Sequence, residues 1–79
     1  MRYFTDGHFV IRVDTDAQRR DSTEFLNAKA EAFQFRKGVW AEKPNLTTKI
    51  AFTGDWEPCS EEDAYAVLAA NGANVHQHA

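Results

Sequence analysis

The chain has 79 residues, 43% of them hydrophobic and 13% aromatic, which is the composition of one folded domain rather than a disordered segment or two cores. A domain of this size buries only about 60% of its unfolded surface, so it is expected to be marginally stable alone or helped by a partner. The single cysteine excludes an internal disulfide, and no run approaches the ~18 apolar residues of a membrane helix, so a cytoplasmic protein is expected.

The net charge of −3 conceals an asymmetry. All nine Lys and Arg residues lie between Arg2 and Lys49, against seven acids in the first 54 residues, a balance of +2. From Asp55 onward there are five acids and no Lys or Arg. Acids collect at a helix N-terminus because the dipole favours them there. An acidic docking surface or a nucleic-acid mimic is the functional alternative.

Met1 to Val13 is broken by Asp6, Gly7, His8 and Arg12 and does not read as a signal peptide. Instead, Asp6-Gly7 between Arg2–Thr5 and His8–Asp14 predicts a hairpin with a two-residue type I′ turn. That turn pairs Thr5 with His8, Phe4 with Phe9 and Tyr3 with Val10. Phe4, Phe9, Ile11 and Val13 then face the core, and Tyr3, Val10 and Arg12 form an outer face that is unusually apolar. Residues 14–21 are polar and aperiodic, as a loop is. Ser22 can cap a short helix, although residues 23–29 also suit a strand. Strand is expected from near Ala30, where Phe33 and Phe35 alternate with Gln34 and Arg36, and again over Val39–Glu42 after a Lys37-Gly38 turn.

Asn45 can cap a second helix that places Leu46, Lys49, Ile50 and Thr53 on one side and stops at Gly54. The rival is a strand over Thr48–Thr53 with Ile50 and Phe52 inward. The segment from Gly54 to Ala64 reads as a rigid entry loop into the best-marked helix of the chain. Ser60 can accept from the N–H of Asp63, Cys59 can staple against Ala64, and Glu61, Glu62 and Asp63 complement the dipole. The helix runs from Glu61 to Ala70, buries Ala64, Val67 and Leu68, and ends at Asn71-Gly72. Residues 73–79 read as a frayed tail. The Gly54–Ala64 stretch resembles the ends of short bacterial proteins, a likeness that implies no activity. The expected architecture is α+β: a small antiparallel sheet of three to four strands with the C-terminal helix packed on one face and Trp40 and Trp56 sealing the edges.

No motif implies catalysis, a metal or a cofactor. Cys59 precedes a helix N-terminus, a setting that lowers a thiol pKa, and His8 is a conceivable base; packing is the plainer role. His76 and His78 are too few for a zinc site even with Asp14 and Asp16 considered. Asp14, Asp16, Asp55 and Glu57 suit turns better than paired-acid chemistry. The expected function is therefore a non-enzymatic interaction module, a regulator or a phage-type inhibitor, that binds another protein or its own copy. Tyr3, Val10 and Trp40 are its candidate anchors, and Glu61, Glu62 and Asp63 its charged rim. The alternative is single-stranded nucleic acid bound by Arg12, Arg19, Arg20, Arg36 and Lys37 with rings such as Tyr3 or Phe35. A pI near 5.5 and the neighbouring Asp14, Asp16 and Asp21 count against it.

Overall fold

A computed structural model describes residues 1–72; the expected tail, with His76 and His78, lies outside the described residues. The fold is α+β, and the described residues form one antiparallel sheet of five strands and three helices. The strands are β1 (Arg2–Thr5), β2 (Val10–Val13), β3 (Ala30–Gln34), β4 (Val39–Glu42) and β5 (Glu57–Cys59), in the spatial order β4-β3-β2-β1-β5. The helices are α1 (Thr23–Leu26), α2 (Leu46–Thr53) and α3 (Glu61–Ala70). Among the described residues no helix is long and apolar enough to cross a membrane.

The hairpin forms, but in another register. Thr5 pairs with Val10 and Phe4 with Ile11, leaving a four-residue loop, Asp6–Phe9, in place of the two-residue turn. The cause is the Asp6 carboxylate, which accepts from the backbone N–H groups of His8 (3.0 Å) and Phe9 (2.9 Å) and so organises a longer loop. Thr5 closes it by donating to the Phe9 carbonyl at 2.7 Å. A shift of two residues keeps Phe4, Ile11 and Val13 on one face, because side chains alternate with period two. It moves Phe9 off the sheet, where its side chain is 55% exposed.

Both faces of the sheet are buried. Phe4, Ile11 and Val13 pack with Phe25 of α1, Leu46 and Ile50 of α2, and Trp56. Tyr3, Val10 and Phe33 pack on the other face with Ala64 and Leu68 of α3. The face expected to be outward is thus the one that the C-terminal helix covers. Strand β5 was expected as loop. It is only three residues long, and its Pro58 is tolerated because β5 lies at the sheet edge.

Local signals set the helix ends. Ser60 accepts from the N–H of Asp63 at 3.0 Å, and Gly72 adopts φ +89° after the last turn of α3. Ser22 caps α1, a single turn, in the same way. Asn45 differs. It precedes α2 at φ +66° and its side chain makes no capping bond, so Asn serves there because it tolerates the left-handed region. The helical phase turns Ile50 inward and leaves Phe52 66% exposed, which removes the strand alternative.

Asn45→Ser should therefore destabilise the fold by roughly 1 kcal/mol despite Ser being a good cap, whereas Asn45→Gly should not. Chemical denaturation of the two variants checks this; equal stability of Asn45→Ser and the parent would return Asn45 to a capping role.

Candidate binding groove

The residues singled out from the sequence separate into three groups. Tyr3 and Val10 are core residues, 8% and 1% exposed, beneath α3, and are not available as anchors. The Tyr3 hydroxyl donates to Glu61 Oε2 at 3.3 Å, tying α3 to β1. Burial first, and the Glu61 charge second, push the Tyr3 phenol above its ordinary pKa. Trp40, on edge strand β4, is half-buried among Tyr3, Phe33 and Tyr65, and Trp56 belongs to the core. Glu61, Glu62 and Asp63 are exposed at the start of α3.

The cations divide as well. Arg12 donates to Glu31 Oε1 at 2.7 Å and lies 4.3 Å over the Trp40 ring. Arg20 donates to the Trp56 carbonyl at 2.7 Å and sits over Phe4, a scaffold role that links the polar loop to the core. Arg19 is exposed and forms a fork with Asp21, holding that carboxyl below its ordinary pKa through hydrogen bonds and charge. Arg36 and Lys37 are exposed on the β3–β4 turn and carry no ion pair among the described residues.

Those last two border a groove of about 730 Å³ whose lining lies mainly on the face opposite α3, with Phe33 of the α3-side cluster and Phe35 beside it also contributing. Its apolar lining includes Phe9 from the β1–β2 loop, Ile11 of β2, Ala32 of β3, Leu46 of α2 and Trp56. Lys43 and Lys49 complete the basic rim, against one acid, Asp6. The groove exists because α2 spans only two turns, and because Ala32 pairs with Ala41 across β3 and β4, so the sheet carries small side chains there. Phe9 packs edge-to-face on Phe35 at 5.8 Å and forms part of one wall.

Sequence reasoning did not assemble this site. Phe9 was assigned to the core through the wrong register, and Lys43 and Lys49 carry no motif. Only the helical spacing of Leu46 and Lys49 hinted that a cation would stand beside an apolar contact.

Cys59 and His8 are not brought together as a nucleophile and base. His8 Nδ1 lies 3.1 Å from Asn71 Oδ1, and Asn71 also donates to the Gly7 carbonyl, fastening the end of α3 to the β1–β2 loop. Burial and then the Asp63 charge push the Cys59 thiol up, opposite to activation. Among the described residues no group of three or more His, Cys, Asp or Glu side chains is placed to hold a metal ion. No protein-family model matches the chain, and no curated protein or solved structure shows significant similarity to it.

Two outcomes follow. At pH 7, Cys59 should alkylate more slowly than a free cysteine; faster reaction would show an activated thiol. For Asp6, burial opposes ionisation, but the N–H groups of Phe9 and His8 outweigh it and hold the carboxyl below its ordinary 3.8. Its contribution is present above that value and fades as pH falls through the lower folded-state pKa. Asp6→Ala should cost roughly 1 kcal/mol at pH 7 and progressively less in strong acid, read from denaturation midpoints across pH.

Proposed function

We propose that this protein is a small interaction module that acts by binding another protein, with the groove beside α2 as its contact surface. The observation that carries the reading is the groove itself, an apolar concavity bordered by Arg36, Lys37, Lys43 and Lys49 on a domain whose other sheet face is closed by α3. Interfaces of this kind place an apolar patch inside a polar rim. The volume lies within the ~300–1,000 Å³ typical of pockets that enclose a small ligand or a few side chains. The module works by binding rather than by chemistry, in keeping with the raised Cys59 thiol and the engagement of His8 by Asn71.

Binding of single-stranded nucleic acid is the second reading, favoured by the same cations beside the exposed Phe9 ring. The groove lining weighs against it. Phe33 and Trp56 are buried, and Phe35 is half-buried with its ring edge-to-face on Phe9, so the lining presents no row of open ring faces for successive bases.

The test is site-specific photo-crosslinking in cells of the source, with the photoreactive residue at Phe9 or, as a control, at Ala69 on α3. The module reading expects a defined protein adduct from position 9 alone, lost when Lys43→Glu and Lys49→Glu are added. Nuclease-sensitive adducts from position 9 would establish the second reading instead. Equal adducts from both positions would contradict a groove-centred interaction.

A further inference from the structure

We infer that the groove takes an acidic peptide segment that inserts a bulky apolar side chain, an inference that rests on the protein-binding reading above and specifies its partner. The argument begins with how the positive charges are spent. Arg2 donates to the carbonyls of Ala17 and Gln18, Arg20 to that of Trp56, and Arg12 and Arg19 are paired with Glu31 and Asp21. Among the described residues, that leaves Lys29, Arg36, Lys37, Lys43 and Lys49 with neither a carboxylate nor a carbonyl partner. All but Lys29 border the same groove.

The distribution is independent of the apolar lining and points to the ligand's charge. A concave surface lined by one sign of charge raises the local potential and steers an oppositely charged partner toward it. Asp6 is the one acid on the lining, and its carboxylate is already engaged by two backbone N–H groups. The acidic start of α3 stands on the helix that covers the other face, so it does not neutralise this rim.

The lining points to the ligand's shape. Ile11 and Leu46 form its buried floor, and the apolar surface still open to solvent is that of the exposed Phe9 with the half-buried Ala32 and Phe35. A purely electrostatic ligand would leave that surface wet, whereas an inserted Leu or Phe side chain would remove it from water at ~25 cal/mol per Å². The ligand that answers both features has acidic residues flanking an apolar anchor.

The experiment is fluorescence anisotropy at low salt with four labelled probes. These are a short Glu-rich peptide with a central Leu-Phe pair, the same peptide with that pair replaced by Ser, the same peptide with Lys for Glu, and a single-stranded oligothymidylate. The first should bind, with amide shifts at Ala32, Gln34 and Leu46, and the other three should each bind about tenfold or more weakly. Lys43→Glu with Lys49→Glu, both exposed positions, should reverse the preference in favour of the Lys-rich peptide. No binding of the first probe, equal binding of the two Glu-rich peptides, or tighter binding of the oligonucleotide would each overturn the inference. If such a failure accompanies a position-9 protein crosslink, the acidic chemistry is refuted and the module stands. If the crosslink is absent too, both fall.

Discussion

Consecutive residues of a β-strand point to opposite sides of the sheet, and in this chain consecutive residues are buried. Tyr3 and Phe4 on β1 are neighbours, as are Val10 and Ile11 on β2, and all four are 8% exposed or less. A sheet with two apolar faces needs a layer on each. The chain supplies α3 for one and α1 with α2 for the other, a three-layer arrangement at the small end of domain size. Each layer is anchored polar-to-polar at its margin: Tyr3 to Glu61 and Asn71 to the β1–β2 loop on the α3 side, Thr47 to the Leu26 carbonyl and Arg20 to the Trp56 carbonyl on the other.

The two layers are unequal. Helix α3 has ten residues, whereas α1 is a single turn and α2 has eight residues. The short pair suffices to enclose Phe4, Phe25 and Ile50 but leaves the part of the sheet around Ala32 bordering an open groove. The opening is thus a consequence of covering two faces with few residues. The charge asymmetry of the sequence acquires a spatial meaning from the same arrangement. Three of the five acids after Gly54 begin α3 on one side, while, among the described residues, all the unpaired cations but Lys29 gather at the groove on the other.

What could be read in the sequence was local. The Ser60 cap, the Gly54 and Gly72 stops and the Lys37-Gly38 turn depend on residues within one turn of each other, and helices α2 and α3 fall where those signals put them. The first hairpin shows the limit. Asp6-Gly7 is a two-residue turn signal only while the Asp side chain stays out of the hydrogen bonding, and here it accepts two backbone N–H groups. The α3 face was misassigned because both faces of β1 and β2 are apolar, and alternation then says which residues share a side but not which side a helix takes. Strand β5 was missed because three residues around a proline carry no periodicity. The groove draws on β2, β3, α2 and four connecting segments, so no window of sequence contains it.

The central claim is that one sheet face is closed by α3 while the opposite face stays open beside α2. Thiol labelling tests it directly, using Val10→Cys and Ala32→Cys separately in a Cys59→Ser background under native conditions. The structure predicts that the thiol at position 32 is modified readily and the one at position 10 only at the rate of unfolding. Rapid modification at position 10, or protection at both, would contradict the two-sided account and the groove with it.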